Sequence, residues 1–152
     1  ALADRLAAED PPAGVFSSDL VRARETAEIV AGRLGLPVRL DARLREVDVG
    51  EWSGLTLGEV EDRYPDGLRR RLEGGPGWEL GETYEAMGER VLEALHEIAA
   101  EAHDGSVVVV THGGAMRAVW FASGGDGRDR PHVGNCDVHR VHVESGTIAW
   151  ID

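Results

Sequence analysis

The stretch Val107–Gly114 has the sequence VVVVTHGG, and it carries the strongest signal for the fold. A run of four valines predicts a parallel strand that is buried on both faces. The two glycines predict a turn, and the apolar residues that follow predict a helix. A buried strand that turns directly into a helix is the repeating unit of an α/β domain.

The same alternation of strand and helix extends in both directions from this stretch. Residues 1–8 predict the end of a helix, residues 15–18 and 37–40 predict strands, and residues 20–34 predict a helix that Gly35 closes. Residues 45–54 predict a structured loop, residues 56–72 short helical pieces, and residues 83–98 a helix capped by Thr83. Residues 137–144 and 147–151, joined at Ser145-Gly146, predict a hairpin. Together these elements predict a three-layer α/β/α sandwich with a mixed, mostly parallel sheet.

Composition limits the domain organisation and the classes of partner. A chain of 152 residues with 42% apolar residues has the size of one domain, and we expect a single domain over residues 1–152. The net charge of −12 argues against nucleic acid, and no apolar run has the length of a membrane helix. All sixteen basic residues are arginine, which excludes Schiff-base lysine chemistry. The lone Cys136 favours a reducing compartment, so we expect a cytoplasmic protein.

Three polar residues fall at the carboxyl ends of predicted strands. Arg22 lies in the first turn of the helix after the first strand, Glu46 follows the second strand, and His112 ends the valine strand. Ligands of open α/β sheets bind outside the carboxyl ends of the strands, so we expect these side chains to converge. The Gly113–Gly114 turn leaves backbone N–H groups at a helix N-terminus, where anions bind. An arginine, a histidine and free amides suit a phosphoryl group, and a carboxyl group can protonate a departing alcohol.

Four segments of the chain resemble the histidine phosphatase superfamily, whose members have the phosphoglycerate mutase-like fold. They occur in the order of that family and cover nearly the whole sequence. The segments are Ser17–Ala27 (SSDLVRARETA), Leu44–Gly54 (LREVDVGEWSG), Gly81–Thr83 (GET) and Val109–Gly114 (VVTHGG).

The resemblance implies a role for each candidate residue. It identifies Arg22 as a phosphate-binding arginine, Glu46 as the proton donor and His112 as the second catalytic histidine, with the Gly113 amide also contacting the phosphoryl group. It further implies a phosphomonoesterase that acts through a phosphohistidine on a small phosphorylated metabolite. We expect no metal and no cofactor, because arginine and histidine supply the positive charge.

One part of the family pattern does not occur in this sequence. Members of the family begin with a strand that ends in Arg-His-Gly, whose histidine is phosphorylated, and no Arg-His-Gly occurs here. We expect about 25 to 35 residues, enough for one strand, a loop and part of a helix, to precede Ala1. The resemblance places that strand in the middle of the sheet, between the valine strand and the hairpin. We expect residues 1–152 alone to be inactive.

Several alternatives remain open at this stage. A mutase shares the phosphohistidine step but returns the phosphoryl group to the product, and a non-catalytic phosphate-binding module would lack the nucleophile. A serine esterase is disfavoured because the Gly-x-Ser-x-Gly elbow does not occur. Residues three apart on a strand point to opposite faces, which argues against zinc held by His139 and His142 with His132 and Cys136. The exposed part of the hairpin is a candidate homodimer interface.

Overall fold

The computed structural model describes residues 2–8, 11–75, 77–103, 105–126, 129, 131–144 and 146–151. Helices and strands alternate along the chain, except that three helices follow one another between the second and third strands, and an antiparallel hairpin comes last. Short 3₁₀ turns at Ala42–Leu44 and Gly50–Trp52 lie in the loop after the second strand. The elements are α1 (Leu2–Ala7), β1 (Val15–Ser17), α2 (Val21–Leu34), β2 (Val38–Leu40), α3 (Leu57–Arg63), α4 (Pro65–Leu72), α5 (Tyr84–Ala102), β3 (Val108–Val110), α6 (Gly113–Ala122), β4 (Val141–Glu144) and β5 (Thr147–Trp150).

The parallel strands form the middle layer of the sandwich. Their order is β2-β1-β3, with Val15 opposite Val38 on one side and opposite Val108 on the other. Successive strand residues point to opposite faces of a sheet. Val15 therefore packs against α2, whereas Phe16 packs against α5. These contacts confirm the predicted α/β/α arrangement with parallel strands.

The valine strand is less buried than its sequence predicts. β3 begins at Val108 rather than Val107, and all three of its residues are only half-buried. Among the described residues no strand pairs with the outer edge of β3, so solvent reaches that side of the sheet. This is the edge at which the family resemblance places its first strand.

The hairpin is confirmed but is shorter than predicted and forms a sheet of its own. β4 begins at Val141 instead of Asp137, and it pairs antiparallel with β5. Gly146 in the turn has a φ of 81°, a conformation that favours glycine, while Ser145 lies outside the described residues. The hairpin packs on α5 and α6 through Val141, Ile148 and Trp150.

Helix α5 is the longest element and supports the other site-bearing elements. Its N-cap Thr83 accepts a hydrogen bond from the Ala86 N–H at 3.1 Å, as the sequence predicts. Met87, Val91 and Leu95 share one face and pack against α6. Ala94 and Ile98 continue that face onto Phe16 and Leu44, which anchors the start of the Glu46 loop.

Helix α3, by contrast, depends on a local capping box. The Thr56 hydroxyl accepts from the Glu59 N–H at 3.3 Å, and the Glu59 carboxylate accepts from the Thr56 N–H at 2.8 Å. These reciprocal bonds satisfy two donors that have no partner within the helix.

Candidate active site

His112 lies where β1 and β3 end side by side. The Ser18 N–H donates to the Val110 carbonyl at 3.0 Å, which extends the pairing of the strands by one residue. The His112 Nε2 atom lies 2.8 Å from the Ser18 hydroxyl oxygen, and that oxygen accepts from the Leu20 N–H at 3.3 Å. His112 is 7% exposed and Ser18 is fully buried. The two strand ends therefore hold the imidazole in one orientation.

The charges that act on His112 are those of Arg22 and Glu46, which the sequence predicts, and of Arg90, which it does not. Burial lowers the pKa of the His112 imidazole, and the positive charge of Arg22 lowers it further. The negative charge of Glu46 acts in the opposite direction, and the positive charge of Arg90 again lowers this pKa. Both predicted partners are thus close enough to influence the pKa of the imidazole.

Glu46 reaches the N-terminus of α6, two residues beyond His112. Its Oε2 atom accepts from the Gly114 N–H at 2.9 Å, and its Oε1 atom accepts from the Val47 N–H at 3.0 Å. A carboxylate is well placed there, because the first N–H groups of a helix have no acceptor within it. Glu46 forms no ion pair with its neighbour Arg45, which instead pairs with Asp19.

The two glycines of the turn have different environments. A Cβ at Gly114 would overlap Oε1 of Glu46 and lie 2.9 Å from its Cδ, so a side chain here would displace the carboxyl group. A Cβ at Gly113 would make only ordinary contacts. The Gly113 N–H, predicted to contact the phosphoryl group, has no acceptor among the described residues. Its predicted role requires such a donor.

Arg22 lies in the first turn of α2 with an exposed side chain. Within the described part of the chain, its guanidinium has neither an ion-pair partner nor a hydrogen-bond acceptor. Arg33 in the same helix pairs with Asp4 at 2.9 Å, and Arg45 beside the site pairs with Asp19. The Arg22 guanidinium is thus free to bind an anion next to His112.

The sequence interpretation missed Arg90, which lies on α5 behind the Glu46 loop. Its guanidinium forms a bidentate pair with Glu82 and also donates to backbone carbonyls of the loop. The sequence does indicate that residue 90 is buried, because it lies three residues after Met87 and four before Ala94, on the buried face of the helix. A charged residue at such a position is rarely buried without a partner.

The described residues show no arrangement suited to a metal ion. No group of three His, Cys, Asp or Glu side chains in this part of the chain could hold one. His139 precedes β4, so the strand-spacing argument against a metal shared with His142 does not apply to it. None of the described helices combines the length and apolar character needed to cross a membrane.

Comparisons with known proteins show the family to which the chain belongs. The sequence model of the histidine phosphatase superfamily (branch 1) matches residues 1–151. A metal-independent phosphoserine phosphatase of Arabidopsis thaliana is 34% identical in an alignment of 125 positions that covers 80% of this chain and 52% of that protein. A glucosyl-3-phosphoglycerate phosphatase of Mycolicibacterium vanbaalenii is 36% identical in an alignment of 124 positions that covers 76% of this chain and 55% of that protein.

A solved structure shows the same likeness in three dimensions. Bacillus stearothermophilus YhfR superposes with a TM-score of 0.84 at 30% identity, covering 98% of this chain and 76% of that one. The chain spans about half the length of the two phosphatases above. The phosphoglycerate mutase-like fold is thus confirmed, and the chain belongs to the histidine phosphatase superfamily.

Proposed function

We propose that the protein containing this chain is a phosphomonoesterase that acts through a phosphohistidine intermediate. The observation that carries the proposal is the meeting of a buried imidazole, a carboxyl group and an arginine that has no ion-pair partner among the described residues, at one edge of the sheet. Arg22 and Glu46 both influence the His112 imidazole, and Glu46 also contacts the helix turn beside it. These groups complement a tetrahedral anion and its leaving alcohol.

The reaction has two steps. A histidine from an Arg-His-Gly segment outside residues 1–152 attacks phosphorus, the bond to the alcohol oxygen breaks, and the Glu46 carboxyl group protonates that oxygen. Glu46 then removes a proton from water, the water oxygen attacks phosphorus, and the nitrogen–phosphorus bond breaks to release phosphate. Arg22, His112 and the Gly113 N–H stabilise negative charge on the transferring oxygens in both steps.

The proposal includes independence from metal ions and a requirement for the preceding segment. A metal-independent phosphoserine phosphatase is among the relatives, which supports catalysis by arginine and histidine alone. The unpaired outer edge of β3 supports a further strand at that position. Without the nucleophilic histidine, residues 1–152 alone would bind phosphate without turnover.

Phosphoenzyme trapping tests this function. The full-length protein and residues 1–152 are incubated with a ³²P-labelled phosphomonoester, quenched in alkali and examined for acid-labile label. We expect label on the full-length protein, transfer of phosphate to water, and no label on residues 1–152. Return of label to the alcohol product would establish a mutase, and binding without label in either protein would establish a non-catalytic module. Full activity after chelator treatment is the expected result for metal independence.

Four statements from the sequence stay predictions. They are a single domain over residues 1–152, a small phosphorylated metabolite as substrate, a homodimer formed through the hairpin and a cytoplasmic location.

A further inference from the structure

We propose that Arg90, held by Glu82, is the positioning residue that sets the location of the Glu46 carboxyl group. The inference rests on the proposed function, because the task it assigns to Glu46 is proton donation to the leaving alcohol. Arg90 itself contacts the backbone of the loop and not the carboxyl group, so it acts through another residue.

The guanidinium of Arg90 fixes the backbone on both sides of the Glu46 peptide. Its Nη1 atom donates to the Arg43 carbonyl at 2.7 Å and to the Arg45 carbonyl at 2.8 Å, and its Nη2 atom donates to the Glu46 carbonyl at 3.1 Å. Bonds to a cation are stronger than bonds between neutral groups. Because these bonds hold the backbone, the Glu46 carboxyl group can move only by rotation about the bonds of its own side chain.

Glu82 fixes Arg90 in turn. Its two carboxylate oxygens accept from Nε and Nη2 of Arg90, both at 2.6 Å, and the two side chains are about one-fifth exposed. The Glu82 backbone is also held, since its N–H donates to the Asp48 carbonyl at 2.7 Å and its carbonyl accepts from Nε1 of Trp78 at 2.9 Å. The pair thus connects α5, the Gly81–Thr83 turn and the loop after Glu46.

Only arginine has the geometry for this set of contacts. Arg90 uses Nε, Nη1 and Nη2 to reach two carboxylate oxygens and three carbonyls lying in different directions. A lysine would retain the charge but present three donors from one nitrogen atom, which cannot span them. Arg90→Lys should therefore change the position of the loop while it keeps the positive charge near His112.

The leaving group of the substrate reports on the position of Glu46. An alkyl phosphate such as phosphoserine needs a proton on its departing oxygen, whereas 4-nitrophenol leaves readily as an anion. In the full-length protein, Arg90→Lys should lower kcat/KM for an alkyl phosphate about 10- to 100-fold, because a displacement near 1 Å has an effect of that size. The ratio kcat/KM is measured because it depends only on the steps up to release of the alcohol, whereas the attack of water, in which Glu46 also acts, is common to both substrates. The same change should lower kcat/KM for 4-nitrophenyl phosphate less than about threefold, since little proton transfer is required.

Arg43→Lys is the matched control. Arg43 is also partly buried and also pairs with carboxylates, those of Asp41, Glu93 and Glu97. Its side chain donates no hydrogen bond to the described loop backbone beyond residue 43. We expect this variant to keep the wild-type ratio of the two rates. If Arg90→Lys does not fold, Glu82→Gln carries the same test, because it weakens the bidentate pair while keeping the size of the side chain.

Two readouts distinguish this inference from the proposed function. Equal losses on both substrates in Arg90→Lys would overturn the positioning role, because a general defect in folding or binding does not depend on the leaving group. If the wild-type protein hydrolyses neither substrate, the proposed function fails. Amide hydrogen exchange then still tests whether Arg90 sets the position of the Glu46 carboxyl group. Faster exchange of the Gly114 N–H in Arg90→Lys, but not in Arg43→Lys, is the expected result, and unchanged exchange at Gly114 contradicts the inference.

Discussion

Replacing Gly114 with alanine should displace the Glu46 carboxyl group while leaving the protein folded. The added methyl group would overlap Oε1 of Glu46 and lie 2.9 Å from its Cδ. Carbon atoms in contact prefer a separation of about 3.5–4.0 Å, so the carboxyl carbon must move by roughly 0.6–1.1 Å. The obstructing atoms are at the end of a flexible side chain, which can rotate away without moving the backbone.

The expected effects on activity and on stability differ in size. A displacement of about 1 Å at a catalytic group lowers the rate about a hundredfold, which corresponds to about 2.7 kcal/mol in the activation free energy. Folding loses the hydrogen bond from the Gly114 N–H to a carboxylate, which contributes about 1.5–3 kcal/mol. Alanine in place of glycine within a helix restores about 1 kcal/mol. The net loss in the free energy of unfolding is therefore at most about 2 kcal/mol.

The assay compares kcat for an alkyl phosphate with the free energy of unfolding from urea titration, both on the full-length protein. Gly32→Ala is the control, because Gly32 is also helical and a Cβ there meets no atom within 4 Å. It should keep the wild-type rate and gain up to about 1 kcal/mol in stability. A folded Gly114→Ala protein with a rate within threefold of the wild type would refute the assigned position of Glu46.

Three further predictions concern pH, the anion site and a helix cap. Because the pKa of His112 is lowered in the native protein, the imidazole binds a proton more readily in the unfolded chain than in the native one. The free energy of unfolding should therefore fall as the pH decreases from about 7 to 5. His112→Gln should flatten that part of the urea-titration profile, and an unchanged slope would contradict the assignment. Arg22→Ala should weaken the binding of inorganic phosphate, measured by calorimetry, about 10- to 100-fold. Arg33→Ala, which removes only a surface ion pair, should leave this affinity unchanged, and equal affinities of the two variants would exclude Arg22 from the anion site. Thr56→Ala should cost about 1 kcal/mol and lower the Tm by about 2–4 °C without changing kcat, and an unaltered Tm would show that the capping box adds no stability.

The sequence predicted the elements whose patterns are local. The 3.6-residue spacing in α2 and α5, Gly35 after α2 and Thr83 before α5 each depend on neighbouring residues. The structure agrees within about one residue at both ends of α2 and at the start of α5, which ends at Ala102, four residues later than predicted. Strand boundaries depend on pairing with distant segments instead. The valine run therefore predicted more burial for β3 than it attains with no strand on its outer edge in the described part of the chain, and the paired stretch of β4 begins only at Val141.

For the site, the sequence predicted which residues meet but not how they are held. Arg22, Glu46 and His112 follow from strand ends and family motifs, and the structure brings their charges together. Ser18 and Arg90 were missed because their contacts join segments 94 and 44 residues apart, respectively. No local pattern encodes such contacts, although a charged residue on the apolar face of α5 indicates that a buried partner exists.

The distribution of charge makes the proposed anion site compatible with a net charge of −12. The carboxylates nearest the site are already satisfied, Asp19 by Arg45, Glu82 by Arg90 and Glu46 by two backbone amides. At physiological ionic strength, exposed charges farther away than about 8 Å are largely screened. The field at the site therefore depends mainly on the unpaired Arg22 guanidinium and the N-terminus of α6, which are both positive. An acidic protein surface and an anion-binding centre are compatible because each acidic group near the centre has its own donor.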